Sequence, residues 1–377
     1  MAKFDQVARA IAAEIRAGEH GGVAEPFLTV RQLAERYSVS LATAQKAVTR
    51  LKEEGLLTGD STRTTRIGAA ATRPIRNDVS PRRLGLVVTD ITNPFFGRIC
   101  RDVQRVAGDL GYQVLTASSE SDFDRERQVI DGFVEIGVKG LLICPGLDEA
   151  CTALYRTLVD RGVPLSFVSR RAEGVEADFV VAHNFVGGGL VAGHLLSMGH
   201  ESFGYIGFGA RLKRDERLHG FRSALLEEGM ELSADRIAGG DGRDINHGRR
   251  AMQQLMKGKK RPRAVFAFND LLAIGALQYC QDHEISVPGE VAIAGFDNLP
   301  ESRVTSPPLT TVAYPVPSIA RLAVQNIVDR IEGSVDLPPN RILLEPHLVV
   351  RQSTDSQAGI AESGTPSTSE ASENARK

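Results

Sequence analysis

The chain has 377 residues, 42% hydrophobic and 24% charged, with a formal net charge of −2. That is enough for two or three domains with cores of their own, and the balance excludes a disordered or fibrous chain. No run approaches the roughly 18 apolar residues of a membrane span.

The charge is unevenly placed. Residues 1–82 hold 13 Lys/Arg against 9 Asp/Glu, and the remainder holds 32 against 38. A mildly basic head before an acidic body fits DNA contact by the head. Cys100, Cys144, Cys151 and Cys280 show no CxxC spacing and are expected to be reduced and buried. The opening residues, MAKFDQVARAIAAEIRAGE, carry Asp5 and Glu14 and lack the apolar stretch of a signal peptide, so a cytoplasmic location is expected.

Phe4, Val7, Ala8, Ile11, Ala12 and Ile15 recur at helical spacing and predict a helix over 4–17, ended by Gly18, Gly21 and Gly22. Thr29 precedes a second helix at 30–36, with Leu33 and Ala34 facing inward. Tyr37-Ser38-Val39 is the turn; Ser40 caps a third helix at 41–54, and Gly55 closes it. Leu56 to Thr58 and Thr64 to Ile67 pair as strands around a polar tip. This succession is a winged helix-turn-helix, placed at residues 1–68.

On the third helix Ala44, Ala47, Val48 and Leu51 form the inner face, which leaves Ser40, Thr43, Gln45 and Lys46 for double-stranded DNA. Gln45 suits adenine and Lys46 suits guanine or phosphate. Arg31 is placed for phosphate or the groove edge, and Arg63 and Arg66 flank the wing for phosphates or the minor groove. The alternative is a winged helix that contacts protein. Residues 69–82, with small residues, Pro74, Pro81 and arginines, read as a linker.

From Arg83 apolar runs alternate with helical segments: 84–88, 113–117, 140–144, 165–168, 179–181, 203–208, 264–268 and 291–295. Such alternation predicts parallel α/β structure, and its restart near residue 203 predicts two similar lobes. The first lobe is expected over 83–183 and 313–338, the second over 184–312 and 339–350. Residues 351–377, rich in Ser, Thr, Glu and Gly, are expected to be a disordered tail. Polar and aromatic residues follow the strand ends: Asp90 to Phe96, Ser169-Arg170, Asn269-Asp270 and Asp297-Asn298. Loops at the carboxyl ends of parallel strands are where such folds bind small molecules.

The stretch TVRQLAERYSVSLATAQKAVTRLKEEGLL from Thr29 resembles the GntR family of regulators, over roughly residues 4–68. It departs at Leu41 and Gln45, where the family usually has arginines. Residues 83–350 resemble the LacI/GalR regulatory domain through LGLVVTDITNPFF, GGGLVAGHLLSMGHESFGYIGF, RLHGF from Arg217, VFAFNDLLAIGAL, VPGEVAIAGFDN and SPPLTTV, in that order. The combination looks like that of arabinose repressors.

That resemblance implies a periplasmic-binding-protein-like domain of two Rossmann-like parallel-sheet lobes. Asp90, Phe95 and Phe96 would meet the ligand from the first lobe, with Ser169 and Arg170 near the hinge. Arg217 would fork onto ligand oxygens, and Asn269 and Asp297 would bind hydroxyls. Ser169 stands where the family often has Asp. The plainer readings are core packing for Phe95 and Phe96, a turn cap for Asp297, a surface ion pair for Arg217 and a helix cap for Asp270. Asn184 suits a pocket, a hinge or a loop cap.

Catalytic readings find no support. The run Gly187 to Ala192 fits GxGxxA, but four residues separate it from the preceding strand, and no acid ends the next one. The glycines suit close helix packing instead. The eight histidines lack zinc spacing, and neither GxSxG nor a Walker loop occurs. No enzyme, metal or cofactor is expected. The expectation is a homodimeric regulator, a repressor by default, with operator DNA and a small effector, most simply a sugar, as partners. A sensor acting through a protein partner is the alternative.

Overall fold

The computed structural model describes residues 3–16, 19–20, 24–59, 65–68, 82–146, 149–208, 212, 214–240, 242–257, 261–333 and 338–355. Arg63, nearly all of the expected linker and the tail from residue 356 lie outside the described residues. The chain divides into two compact units, Met1–Pro81 and Arg82–Lys377.

The head holds α1 (Lys3–Arg16), α2 (Val30–Arg36), α3 (Leu41–Glu53), β1 (Leu57–Thr58) and β2 (Arg66–Ile67). Ile11, Leu33, Ala44, Ala47, Leu51, Leu57 and Ile67 are fully buried and form its core. Each side chain of Leu or Ile size stabilises the fold by about 1.5–3 kcal/mol on burial. α2 opens with a capping box: the Thr29 hydroxyl accepts from the Gln32 amide at 3.3 Å, and the Thr29 amide donates to Gln32 Oε1 at 2.9 Å. Ser40 caps α3 by accepting from the Thr43 amide at 3.3 Å.

The chain at 24–27 runs antiparallel to β2 through a bridge between Pro26 and Arg66. Ala24 and Phe27 amides donate to Ile67 and Thr65 carbonyls at 2.9 and 2.8 Å. Pro26 hid this pairing from sequence reading, because proline weakens any strand pattern except at a sheet edge.

The first lobe runs β3 (Arg83–Val88), α4 (Pro94–Asp109), β4 (Gln113–Ser118), α5 (Phe123–Glu135), β5 (Gly140–Ile143), α6 (Glu149–Asp160), β6 (Leu165–Val168) and β7 (Asp178–Ala182). The second runs α7 (Asn184–Ser197), β8 (Phe203–Phe208), α8 (Glu216–Glu227), β9 (Ile237–Gly240), α9 (Ile245–Lys257), β10 (Ala264–Ala267), α10 (Asp270–Asp282), β11 (Ala292–Asp297) and β12 (Thr310–Ala313). The chain then returns to the first lobe with α11 (Val316–Glu332) and β13 (Arg341–Leu344), and ends in the second with β14 (His347–Val349).

The sheet orders are β13-β7-β6-β5-β3-β4 and β14-β12-β11-β10-β8-β9. Every pairing is parallel except β12 with β14. In each sheet the strand order reverses at the lobe's first strand, β3 or β8, which opens a crevice at the carboxyl edge. Central strands such as β5, β6, β10 and β11 are buried on both faces, which explains their continuous apolar sequence.

Two expected boundaries change. β13 pairs with β7, so residues 341–344 belong to the first lobe. The segment after Val350 is not wholly tail: Ser353 and Thr354 are buried. The Ser353 hydroxyl donates to the Ile293 carbonyl at 2.5 Å and accepts from the Thr310 amide at 2.8 Å. Its polarity suggested disorder, yet its hydroxyls satisfy backbone groups at a sheet end.

Candidate functional sites in the head and the cleft

In the head, Ser40 and Lys46 are exposed and Thr43 and Gln45 half-exposed at the amino-terminal end of α3. Ala44, Ala47, Val48 and Leu51 face inward. The Ser40 and Thr43 hydroxyls lie 2.9 Å apart. Arg31 projects into solvent, with only a loose contact to Glu35 at 3.7 Å. Arg66 is exposed and donates to the Ala24 carbonyl at 2.9 Å, which ties it to the segment bridged to the wing.

A cavity of about 390 Å³ lies between the two lobes of the body. It is lined by seven of the eight predicted ligand residues: Phe95, Phe96, Ser169, Arg170, Arg217, Asn269 and Asp297. Asp90 is not among them. Its Oδ1 accepts from the Thr92 amide and hydroxyl at 2.9 and 2.6 Å, so a local turn uses it. Asn93 lines the cavity from that loop instead, while accepting from the Phe95 amide as the cap of α4.

Arg217 is buried where α7 and α8 meet. Their axes approach because a Cβ on Gly188 would stand 2.0 Å from the Arg217 carbonyl, and one on Gly220 would stand 1.8 Å from that of Phe185. The glycine run is thus a helix-packing device inside α7, not a phosphate-binding turn. The Arg217 guanidinium donates to Asn184 Oδ1 at 2.9 Å and to the Phe268 carbonyl at 2.5 Å. It stacks on Phe296 and Phe268, with ring centres 3.7 and 4.5 Å away. Asp297 Oδ1 stands 3.5 Å from it, and both side chains are nearly buried. Burial pushes the Asp297 carboxyl up to about 6, with Arg217, Arg98 and Arg170 opposing.

Asp297 has φ +110° and Asn298 +49°. Such backbone costs a non-glycine residue on the order of 1–3 kcal/mol and collects at ligand sites. It is held by its surroundings: Asp270 accepts from the Leu299 amide at 2.7 Å and from Thr311 at 2.5 Å. Arg351 donates to Asn298 Oδ1 at 2.7 Å. Arg98 reaches across from α4 to the Asp297 and Asn298 carbonyls at 2.9 and 3.1 Å. Asp270 therefore anchors this loop, and Asn269 is the residue that caps α10, accepting from the Leu272 amide at 2.9 Å. Asp297 serves as no turn cap.

Phe95 and Phe96 are both core and wall. They are buried, and Phe95 meets Tyr314 edge-on at 5.0 Å. Ser169, at φ +67°, is buried beside them. Arg170 places its guanidinium above Phe96, 5.9 Å from the ring centre.

Sequence reading missed Asp215, Glu216 and Arg243 in the lining. Asp215 was legible as the cap of α8: it accepts from the Arg217 and Leu218 amides, and from the Tyr205 hydroxyl at 2.6 Å. Arg243 follows β9, a short IAGG strand with no pattern of its own. Asn184, left open in the sequence, is both a lining residue and the partner of Arg217.

Comparison with known proteins places both units. Residues 3–67 match the model of the bacterial regulatory proteins of the gntR family, and 192–354 that of the periplasmic binding protein-like domain. The transcriptional regulator DegA of Bacillus subtilis is 29% identical over 86% of this chain and 98% of its own. Among solved structures, transcription regulator GntR from Chromobacterium violaceum is 27% identical, with a TM-score of 0.66 over 73% of this chain and all of its own. The regulator CelR in complex with cellobiose is 26% identical, with a TM-score of 0.64 over 94% of this chain and all of its own. The chain joins a GntR-type helix-turn-helix head to a periplasmic-binding-protein-like body, and its relatives are transcription regulators of the LacI/GalR type.

Proposed function

We propose that this protein is a sequence-specific DNA-binding transcription regulator, a repressor whose operator affinity falls when a sugar-like effector enters the interlobe cleft. The observation that carries the reading is the coexistence of two sites in separate compact units. One is a recognition helix with its polar amino-terminal residues exposed. The other is a cleft of about 390 Å³ where guanidinium, amide and carboxylate groups converge beside aromatic walls. Its size falls within the range of roughly 300–1,000 Å³ typical of small-molecule sites. The solved relative CelR holds cellobiose, which supports a sugar as the ligand class.

In this reading the protein acts as a cytoplasmic homodimer on a pseudo-palindromic site and has no catalytic role. Arg31, Ser40, Thr43, Gln45, Lys46 and Arg66 contact DNA, with Arg63 on the wing. Phe95, Phe96, Ser169, Arg170, Arg217, Asn269 and Asp297 hold the effector. The effector weakens operator binding by favouring one lobe arrangement, which requires unequal affinity for the two states.

The test is selection of random duplexes on the purified protein, followed by binding titrations with and without a panel of sugars. Enrichment of a two-fold symmetric site, released at least fivefold by a panel member, is the expected result. Absence of any enriched sequence overturns the DNA reading and moves weight to a sensor that acts through a protein partner.

A further inference from the structure

Arg170 and Arg217 enter the cleft from opposite lobes. Both are largely removed from water and rest on aromatic rings, Phe96 for one and Phe296 and Phe268 for the other. Their hydrogen bonding differs. Arg217 is satisfied by Asn184, the Phe268 carbonyl and Asp297. The Nη1 of Arg170 is buried and has no hydrogen-bond partner among the described residues. Burial makes its charged form less favourable, and the like charge of Arg217 adds to this.

Of the lining carboxylates Asp297 attracts Arg170 through space, but none accepts a hydrogen bond from its Nη1. Asp215 is used by the start of α8 and by Tyr205. Glu216 pairs with Arg171 at 3.3 Å and accepts from Asn184 at 3.4 Å. Asp297 faces Arg217, and its raised pKa lets it carry less than a full charge in mild acid. Glu173 is exposed at the rim. Arg214 and Arg243 add two further cations to the lining. A buried guanidinium donor without an acceptor is costly, and a ring face recovers only part of that cost.

We infer that the effector carries an anionic group, a carboxylate or a phosphate, that binds between Arg170 of the first lobe and Arg217 of the second. This rests on reading the cleft as the effector site and names the ligand class that site takes. Two like charges on facing lobes repel in the empty cleft. An oxyanion between them turns that repulsion into two attractions and so favours closure, which is the differential affinity a ligand-driven switch requires. The remaining polar groups, Asn269 and Asn184 among them, suit the hydroxyls of an acidic or phosphorylated sugar.

The test compares matched ligands by calorimetry and thermal shift on the full chain: glucose, gluconate and glucose 6-phosphate; ribose and ribose 5-phosphate; cellobiose and cellobionate. Inorganic phosphate at constant ionic strength serves as a minimal probe. At least one acid or phosphate is expected to bind tenfold or more tightly than its neutral parent, and whether acids or phosphates do so separates the two anion sources. Arg170→Gln is expected to cut that affinity at least tenfold, with Arg170→Lys in between and both variants checked for native circular dichroism. Saturable stabilisation by phosphate that is lost in Arg170→Gln also supports the inference. A neutral sugar that binds as tightly as its acid overturns the anion and leaves the effector reading standing. No response to phosphate or to any panel member overturns both.

Discussion

The Tyr314 hydroxyl donates to the Ser169 carbonyl at 2.8 Å and accepts from the Ala182 amide at 3.3 Å. Tyr314 lies on the second crossing between the lobes, just after β12, while Ala182 ends β7 at the first crossing. One phenol therefore clasps two of the connecting segments and fixes the carbonyl beside the left-handed Ser169. Relative movement of the lobes must work around this point.

Tyr314→Phe removes the clasp and leaves a buried amide and carbonyl unpaired, a loss of about 1–3 kcal/mol. The melting temperature should fall by on the order of 2–4 °C. The same variant should loosen effector binding, because Ser169 and Arg170 lose their backing. An unchanged melting curve together with unchanged ligand affinity would show that the clasp is idle.

Arg31→Ala and Asp297→Ala should separate the two functions. Arg31 is solvent-exposed on the head, so its loss should weaken binding across all DNA sequences and lower the salt slope by about 1. Effector affinity should stay unchanged. Asp297→Ala should do the reverse. The check is fluorescence anisotropy across several salt concentrations beside calorimetry. If Asp297→Ala leaves ligand affinity within about twofold, its place in the pocket is structural only.

Asp297 also sets a pH dependence of unusual sign. Its carboxyl lies near 3.8 in the unfolded chain and at about 6 in the folded one. Between those values the folded state binds the proton more readily, so this group's contribution to stability is largest below pH 3.8 and declines as pH rises to about 6. Asp297→Asn lacks this titration. The melting-temperature difference between the two proteins should move in favour of the variant from pH 4 to 7, and a flat difference counts against a raised carboxyl.

Gly220→Ala should disrupt the second lobe. The new Cβ would meet the Phe185 carbonyl at 1.8 Å, and backbone of a packed helix has little room to yield. Overpacking costs about 1–3 kcal/mol or more. Because α7 and α8 also place Asn184 and Arg217, effector binding should fall as well. Urea denaturation and a ligand titration read the two effects.

The segment just beyond Val350 can be tested by truncation. A chain ending at Asp355 should match the full protein in stability. One ending at Val350 loses Ser353 and also Arg351, which donates to the Leu309 carbonyl at 2.6 Å and to Ser302 at 3.0 Å. Several buried hydrogen bonds go at about 1 kcal/mol each. Equal urea midpoints for the two truncations would contradict this.

Much of the architecture was legible in local pattern. The heptad-like apolar spacing of α1, the capping residues Thr29 and Ser40 and the doubly buried strands of both lobes are nearest-neighbour physics, and each reads along the chain. The polar residues that end parallel strands announced most of the cleft for the same reason, since strand direction alone aims those loops at one edge. Contacts between distant segments were not legible. Asp90 and Asn93 look equally fit for a pocket; a local turn with Thr92 consumes the first, and only the fold shows the second lining the cavity. Asn269 caps α10 while still lining the cavity, and Asp270, the expected cap, turns instead to Thr311 of β12, which arrives some forty residues later. Ser353 reads as tail until β11 and β12 offer it unpaired backbone groups. The sequence by itself determined the helices of the head, the central strands of both lobes and the kind of side chain at their ends, but not the short strands β9, β12, β13 and β14. Which groups are satisfied, which guanidinium is left over and which lobe claims β13 were decided by tertiary structure alone, because burial and pairing are properties of neighbours that the chain brings together only on folding.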